Sequence, residues 1–413
     1  MKSERNWGRL GMKSNWMTTT INDVCSLVTD GAHNSPKSVE KGRYMASVKD
    51  FTEFGFDFSN CRRISEEDYE RLRKQGCVPE KDDILVGKDG ARYFEDIVIY
   101  KQDEQPALLS SIAILRADRK KIIPEFLYYT LKTPAVKKNV RDNYGSGSAI
   151  PRIVLKDFKR MPFSFPSVDE QRKITAICSA IDSKIQVNNA INKNLLEQAR
   201  TLFISWFVDY TPFNGTKPDL WKNKSVYELA EYINGAAFKK NEYADKGLPI
   251  IKITELKNGI TNATQYCCTE KDVKYYIDDR DILFSWSGNP DTSIDTFLWS
   301  NGKAILNQHT FRVVSKYNAP AFTFFLLKYL KPQFTHIASN KQTTGLGHVT
   351  VADLKRLQFC ADENAIRDFN AITMPFFDMI FSNYKENQYL SSLRDTILPQ
   401  LMSGKLDVSE IDL

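Results

Sequence analysis

The sequence predicts an α+β fold in which two tandem β-rich domains are each followed by a long helix. The first indication is an internal repeat: five stretches recur in the same order, 196 to 205 residues further along the 413-residue chain. The second is a run at 167–208 without proline or glycine, with a related run near the end of the chain. In-order matches at one period are typical of a duplicated structural unit, so one module is predicted to occur twice.

The matches divide the chain into corresponding parts. Trp16 corresponds to Trp221, PEFLYYTLK at 124–132 to PAFTFFLLK at 320–328, and GSAIPRIVLKDFKR at 147–160 to TTGLGHVTVADLKR at 343–356. The predicted parts are an N-terminal extension (1–15), domain 1 (16–166), spacer helix 1 (167–208), a linker (209–220), domain 2 (221–361), spacer helix 2 (362–402) and a C-terminal tail (403–413).

Each repeat has the same predicted order of elements. A short strand and a turn near Gly31 or Gly235 come first, and apolar β-branched stretches such as DILV and DILF then indicate strands separated by turn residues. A proline at 124 or 320 next begins a short helix. We expect the aromatic residues of this helix in the core, because they are spaced for helix packing and no cofactor motif accompanies them.

The two long runs carry apolar residues at alternating steps of four and three, which is the coiled-coil pattern. A helix of ~41 residues would extend about 60 Å, too far for one domain to bury it. The other long helix is the natural partner, which predicts an antiparallel coiled-coil spacer with pseudo-two-fold symmetry. Asn188 and Asn383 interrupt the two apolar patterns near their centres and are predicted to meet and fix the register. The alternative is that both asparagines face solvent in a looser bundle.

Composition and motifs argue against several classes of protein. No apolar run approaches the ~18–20 residues needed to span a bilayer, and the start of the chain lacks the apolar core of a secretory signal. Seven scattered cysteines and four dispersed histidines predict reduced thiols, a cytoplasmic protein and no metal site. We expect no membrane association.

The positive charge is concentrated in two segments. Residues 116–160 contain twelve Lys or Arg against four Asp or Glu, and residues 312–356 contain seven against one, although the net charge is only +6. Two basic segments in an otherwise acidic chain predict two contacts with a polyanion. The alternative is a pair of solvated faces.

Motifs for catalysis are missing. The stretch GSGSAIP at 145–151 lacks the Gly-Lys-Ser/Thr that completes a phosphate-binding P-loop. The sequence has no Pro-Pro dipeptide, which the catalytic element of an adenine methyltransferase would require. Asp245, Glu255 and Lys257 have roughly the spacing of a metal-dependent nuclease, but the first repeat has no matching lysine. The sequence therefore predicts a protein without catalytic activity.

With these features together, the chain resembles the DNA-specificity subunits of type I restriction–modification systems. The resemblance rests on Gly145–Pro151, Asp157-Phe158-Lys159, MPFSFPSVDEQRKI at 161–174 and LRDTILPQLMSGKLDVSEI at 393–411. It covers nearly the whole chain. The second repeat departs from the pattern, because GHVTVADLKRLQFCADENA lacks the Pro-x-x-x-Glu-Gln element.

The resemblance implies that each domain is a target-recognition domain reading one half of a bipartite double-stranded DNA sequence, with the helices as a ruler. It implies two modification (methyltransferase) subunits and two restriction (translocase/nuclease) subunits as partners. Cofactors are expected on those subunits and not on this chain: S-adenosylmethionine, ATP and Mg²⁺. The alternatives are a stand-alone DNA-binding adaptor and a nuclease or methyltransferase with a cryptic site.

Candidate DNA contacts are polar or aromatic residues on two matched loops in each domain, because base edges are read by such side chains. They are Lys88, Arg92, Ser146, Ser148 and Arg152 in domain 1, and Trp286, Ser287, Asn289, Gln342, Thr344 and His348 in domain 2.

Overall fold

A computed structural model describes residues 16–145, 151–342 and 345–411. The extension predicted at 1–15 lies outside these ranges. By their contacts the residues form two compact units: Val187–Tyr389 is unit 2, and the described residues before and after it form unit 1. Among the described residues, no helix has both the length and the apolar character needed to cross a membrane.

Each domain is built around a four-stranded antiparallel sheet with the same strand order. In domain 1 the neighbouring strands are, in order, Cys25–Asp30, Ile112–Ala117, Ile84–Gly87 and Ile97–Ile99. In domain 2 they are Ala230–Asn234, Thr310–Ser315, Ile282–Ser285 and Asp295–Leu298. The prediction that the two repeats form two domains of one kind is confirmed.

The strand at DILV has consecutive apolar residues, 84–86, because both faces of this sheet are buried. Ile84 and Val86 pack into the core that also contains the helices, whereas Leu85 packs into a separate cluster on the other face. Alternate side chains of a strand point to opposite faces, so a sheet covered on both sides needs continuous apolar strands. Leu283 of domain 2 is likewise separated from Ile282 and Phe284.

A second sheet of short strands covers the other face of the four-stranded sheet and differs between the domains. In domain 1 it is three-stranded, with Arg43–Ala46 between Arg63–Ile64 and Ala107–Leu108, and a short hairpin joins Phe51–Thr52 to Gly55–Phe56. In domain 2 it has five strands, in the order Tyr243–Ala244, Tyr266–Cys267, Leu248–Ile251, Ala304–Leu306 and Tyr276–Ile277.

A two-stranded antiparallel ribbon joins the start of each repeat to its end. Met17–Thr20 pairs with Pro162–Phe165, and Lys222–Ser225 pairs with Gln358–Ala361. Trp16 and Trp221, directly before the first strands, are buried. Each long helix therefore begins just after the strand that closes its own domain.

Most helices pack on the face of the four-stranded sheet that the second sheet leaves free, whereas Glu66–Lys74 and Ile253–Asn258 pack with the second sheet. The longer helices of domain 1 are Glu66–Lys74, Pro124–Lys132, Pro134–Asn143 and Leu155–Arg160. Those of domain 2 are Ile253–Asn258, Pro320–Tyr329, Lys331–Asn340 and Val351–Arg356. Single helical turns lie at Ile21–Val24, Val226–Leu229 and Pro290–Ser293. As predicted, prolines start the aromatic helices, and their aromatic side chains are buried except for Tyr329, which is half-buried.

Gly31 and Gly235 have equivalent backbone surroundings in the two domains. The Gly31 amide donates to Ile112 O at 3.1 Å, and the Gly235 amide donates to Thr310 O at 3.1 Å. A Cβ atom would lie 2.3 Å from Leu108 O at position 31 and 2.2 Å from Asn307 O at position 235. The glycine is required because two backbone segments cross here without room for a methyl group.

The long helices are Val168–Phe207 and Glu363–Met402, each of 40 residues. Their halves pack antiparallel within each unit: Asp182 contacts Arg394 in unit 1, whereas in unit 2 Asn188 contacts Asn387 and Asn192 contacts Asn383. The predicted helical pair is confirmed.

The expectation that Asn188 and Asn383 meet is wrong in detail. The Asn188 amide donates to Glu386 at 2.7 Å and to Asn387 at 2.9 Å, and the Asn383 amide donates to Asn192 at 2.7 Å. In an antiparallel pair of repeated helices, only a residue at the crossing point meets its own counterpart. The crossing lies between positions 188 and 192, so two Asn–Asn pairs form in place of one.

We expect Gly31→Ala to destabilise the protein by at least about 2 kcal/mol, because the clash is with a backbone oxygen that cannot rotate away. Gly87→Ala is the matched control, since its Cβ would make only ordinary van der Waals contacts, 3.4 Å from Val48 Cγ1 and 3.6 Å from Asp96 O. Thermal unfolding of both variants checks this. Equal midpoints would contradict the close approach.

We expect Asn383→Leu to destabilise the protein by about 1–3 kcal/mol, because the buried Asn192 side chain loses its hydrogen-bond donor. The double variant Asn192→Leu/Asn383→Leu should recover this loss, since both polar partners are removed. Urea unfolding of the two variants gives the comparison. A double variant less stable than the single one would show that the pair itself is stabilising.

Candidate nucleic-acid interface

The two matched loops predicted from sequence lie side by side in each domain. In domain 1, Asp89 and Arg152 form a β-bridge, and the Gly90 amide donates to Pro151 O at 2.9 Å. In domain 2, Ser287 pairs with His348 and Gly288 with Gly347 in a short antiparallel ladder. We call each arrangement a loop pair: residues 88–90 with 151–153 in domain 1, and residues 286–288 with 347–349 in domain 2.

Further backbone bonds hold the two loop pairs in the same way. The Ile153 amide donates to Lys88 O at 3.0 Å, and the Val349 amide donates to Trp286 O at 2.8 Å. In each domain the acceptor is the residue directly after the third strand of the four-stranded sheet, and the donor is the residue directly after Arg152 or His348. The repeat therefore conserves the backbone of the loop pair although its side chains differ.

Lys88 is held inside domain 1. Its side chain is 9% exposed, and its ammonium lies 3.3 Å from Asp30 and 3.6 Å from Asp89. His33 also contacts the Asp30 carboxylate, with Nε2 at 3.2 Å. The positive charge of Lys88 is thus balanced within the domain.

Trp286 takes the position of Lys88 in domain 2. Its indole N–H donates to Asn234 Oδ1 at 3.2 Å, and Asn234 corresponds to Asp30 because each precedes the repeated glycine. The half-buried indole ring lies 5.7 Å from the ring of His309 and 5.9 Å from that of His348. The same backbone thus presents a lysine–aspartate pair in one domain and an aromatic cluster in the other.

The remaining candidate residues differ in their exposure to solvent and in their partners within the domain. Arg152 and Gln342 are exposed. Arg92 is 75% exposed and pairs with Asp96 at 2.6 Å. Ser287 is bound to His348, with Oγ and Nδ1 3.0 Å apart.

Asn289 caps the turn at Pro290–Ser293 by accepting from the amides of Asp291 and Thr292, at 3.1 and 3.0 Å. This contact gives Asn289 a structural role. Ser146, Ser148 and Thr344 lie outside the described residues.

Asp30, Asn234 and His309 were not predicted from the sequence, although they contact the loop pairs from the first strand and from the loop before Thr310–Ser315. His33, also not predicted, contacts Asp30. Asp30 and Asn234 could have been found by their position before the repeated glycine. No sequence pattern indicated His309, because only the folding of distant segments places its ring beside the indole of Trp286.

Many cations of the two basic segments are paired within their own domain. The segment 116–160 has Arg116 with Asp83 and Glu80, Arg119 with Asp82, Lys137 and Arg141 with Glu95, and Arg160 with Asp157. The segment 312–356 has Lys328 and Lys331 with Asp295, and Lys341 with Asp353. Since most of these carboxylates come from outside the segments, the local charge balance of the sequence overstates the free positive charge.

Asp353 supports the loop that carries His348. Its carboxylate accepts from the Thr350 amide at 2.8 Å, which caps the helix Val351–Arg356, and from Lys341 Nζ at 2.6 Å. Burial alone would raise the pKa of Asp353, but the hydrogen bonds from Lys341 and Thr350 outweigh it and lower that pKa. The ionised carboxylate thus stabilises the loop.

The geometry offers no catalytic centre among the residues described. No group of three or more His, Cys, Asp or Glu is placed to hold a metal ion there. Glu255, a member of the nuclease-like spacing, accepts from the Lys252 amide at 3.1 Å and from Thr264 at 3.3 Å, which are helix-capping and turn contacts. The seven cysteines are free, and burial raises the pKa of Cys25 to about 12.

Comparison with known proteins agrees with this picture. The family model for the type I restriction modification DNA specificity domain matches residues 13–197 and 218–360. The MjaIX specificity subunit of Methanocaldococcus jannaschii, a type I restriction enzyme subunit, is 24% identical over 314 residues, or 70% of this chain and 71% of that protein. The HindI specificity subunit of Haemophilus influenzae is 20% identical over 364 residues, with 69% and 78% covered.

A solved structure has the same fold. The crystal structure of the type I restriction-modification system S subunit from M. genitalium aligns with a TM-score of 0.52 at 16% identity, covering 95% of this chain and 98% of that chain.

The family match over both domains, which share one topology, identifies a non-catalytic DNA-specificity subunit with two target-recognition domains. The chain belongs to the family of type I restriction modification DNA specificity proteins.

We expect Asp353→Asn to lower stability at pH 7 by about 1–3 kcal/mol, because a charge-assisted bond to Lys341 is lost. A carboxyl with a lowered folded-state pKa stabilises above its unfolded value, near 3.8, and this contribution disappears as the pH falls through the folded pKa. The difference from the unsubstituted protein should therefore shrink between pH 5 and about pH 2.

Denaturant unfolding across this pH range measures the effect. Asp169→Asn is the control, because Asp169 is 85% exposed in its pair with Arg172. A difference for Asp353→Asn that does not change with pH would contradict the role of the charge.

Proposed function

We propose that this chain reads a bipartite double-stranded DNA target, with one half contacted by the loop pair of each domain. The observation that supports this best is the loop pair itself: its backbone bonds are repeated, whereas its side chains are not. A scaffold of this kind suits the reading of two different base sequences, because hydrogen bonds and apolar contacts to base edges specify sequence.

The chemistry of the two loop pairs differs in a way that DNA can distinguish. At and beside the loop pair of domain 1, Arg152 and Arg92 are exposed, and arginine can bond guanine O6 and N7 together. In domain 2 the corresponding surface carries Trp286, His309 and His348, which offer ring faces and single hydrogen bonds. The two halves of the target are therefore proposed to differ in sequence.

Phosphate contacts are proposed for exposed lysines that lie near the loop pair in sequence. Lys156 and Lys159 are exposed on the helix Leu155–Arg160, directly after Arg152, and Lys120 and Lys138 are exposed elsewhere in the basic segment. Neutralising phosphates releases counterions, so DNA affinity should fall steeply with salt.

For the assembly we propose two modification subunits and two restriction subunits around this chain, with the paired 40-residue helices setting the gap in the target. S-adenosylmethionine, ATP and Mg²⁺ would be bound by those partners, and the complex would act on DNA in the cytoplasm. The relatives named above as specificity subunits of type I restriction enzymes support this proposal.

The experiment is co-expression of the chain with the modification subunit in a host without other methylation, followed by methylome sequencing. We expect methylated adenines in a bipartite motif that disappears when this chain is deleted. A continuous motif would contradict the two-domain reading. Methylation or cleavage by the purified chain alone would favour an enzyme with a cryptic site, and absence of DNA binding by the complex would favour an adaptor.

We expect Arg152→Ala to relax or abolish recognition of one half of the motif and His348→Ala to do so for the other half. Loss of a good base contact costs about 1–3 kcal/mol, or roughly 5- to 150-fold in affinity. Arg71→Ala is the matched control, because Arg71 lies exposed on the helix Glu66–Lys74 and pairs with Asp68.

The readout is the methylated motif of each variant in the same host. Unchanged motifs in both loop variants would remove the loop pairs from the recognition surface, while leaving the bipartite motif itself as a separate result.

A further inference from the structure

A buried polar network lies where the two long helices meet in unit 1. Arg394 Nη1 donates to Asp182 Oδ1 at 2.7 Å and to Glu53 Oε1 at 3.0 Å, and the Tyr129 hydroxyl donates to Asp182 Oδ2 at 2.8 Å. The side chains of Arg394 and Asp182 are 9% and 6% exposed. Asp182 belongs to the first helix and Arg394 to the second, so the network joins the two repeats.

The repeat counterparts of this network are apolar. Residues on the two long helices correspond at a spacing of 195, which the burial pattern supports: Ile174 and Phe369, Ile185 and Ile380, Asn188 and Asn383, Phe203 and Leu398, and Phe207 and Met402 are all buried. At this spacing Asp182 corresponds to Phe377, and Arg394 corresponds to Ala199.

The supporting residues have changed in the same sense. Tyr128 and Tyr129 correspond to Phe324 and Phe325 in the matched aromatic helices. In unit 2 the rings of Phe324 and Phe377 pack edge to face, with centroids 5.7 Å apart, and Ala199 and Phe377 belong to one core cluster. The two long helices thus meet through charged and hydroxyl side chains in unit 1, and through the corresponding aliphatic and aromatic side chains in unit 2.

This difference decides which helices can pair. The Asn–Asn bonds place Asn188 opposite the counterpart of Asn192, and Asn192 opposite the counterpart of Asn188. Two copies of the first helix could therefore also pair antiparallel with the same central layer. In that pair Asp182 would face Ala199 of the other copy, without an arginine. In a pair of two second helices, Arg394 would face Phe377. Both arrangements bury a charge without its partner, which proteins strongly disfavour.

We propose that the network of Tyr129, Asp182, Arg394 and Glu53 is a pairing-specificity device that makes the first helix pair with the second helix and excludes pairing of like helices from two copies of this chain. The excluded partner is chemically the best alternative available, because it carries the same repeat. Selectivity of this kind needs repulsive mismatches in addition to native contacts.

The test moves the arginine from one helix to the other in the full chain. In Ala199→Arg/Arg394→Ala, like helices become matched: position 182 faces an arginine in the first pair, and Phe377 faces an alanine in the second. We expect the mass in solution, measured by light scattering and sedimentation, to change from that of a 47.4 kDa monomer to about twofold that value. A monomer as stable as the unsubstituted chain would overturn the proposal.

A rescue variant of the same composition moves the carboxylate as well: Ala199→Arg/Arg394→Ala/Asp182→Phe/Phe377→Asp. It matches the first helix to the second again, so we expect a monomer. A quadruple variant that forms the dimer as readily as the double variant would overturn the proposal, and so would an unsubstituted chain that is itself a dimer paired through like helices.

If the relocated arginine prevents folding, a double-mutant cycle at positions 182 and 394 of the full chain tests the proposal instead. Arg394→Ala should lower the folding equilibrium constant by at least about 100-fold, since Asp182 stays buried without its arginine. Asp182→Phe/Arg394→Ala, which copies the unit 2 junction, should recover most of that loss. Additive losses in the double variant would overturn the proposal.

Discussion

Neither repeat completes its own hydrophobic core, because each core includes residues from the long helix of the other repeat. The rest of the fold depends on this constraint. The core of unit 1 contains Ile174 and Cys178 from the first long helix together with Leu398, Leu401 and Met402 from the second. The core of unit 2 contains Phe203 and Phe207 from the first helix together with Ile366 and Phe369 from the second. A helix of 40 residues can be buried in this way because each half has a domain to pack on. Each domain consequently requires both repeats for its stability.

Duplication has preserved backbone contacts more strictly than side chains. The crossing at Gly31 and Gly235, the ribbon that closes each domain and the bonds within each loop pair are repeated, because their geometry depends on main-chain atoms. The side chains that project from this frame have diverged: Lys88 and Asp30 stand where Trp286 and Asn234 stand. Two domains of one fold thus carry loop pairs of different chemistry, which is the feature on which the proposed reading of two different half-sites rests.

Charge is distributed by the fold and not by the local sequence. Asp82, Asp83 and Glu95 lie outside the segment 116–160, yet they bind its arginines and lysines. Asp295 does the same for Lys328 and Lys331. The basic segments thus partly stabilise the domains from within, and fewer of their cations are unpaired than their composition indicates.

The sequence by itself determined the duplication, the α+β class, the two long helices and the two matched loops, because each of these leaves a periodic or repeated pattern along the chain. It also indicated that polar residues lie at the centre of the helices, through Asn188 and Asn383. Only the tertiary structure decided that these asparagines pair with Asn387 and Asn192, that Lys88 is held by Asp30, and that Arg394 meets Asp182. The physical reason is that such contacts depend on where two antiparallel helices cross and how strands from distant parts of the chain align. A shift of one turn or one residue exchanges every partner without altering the sequence pattern.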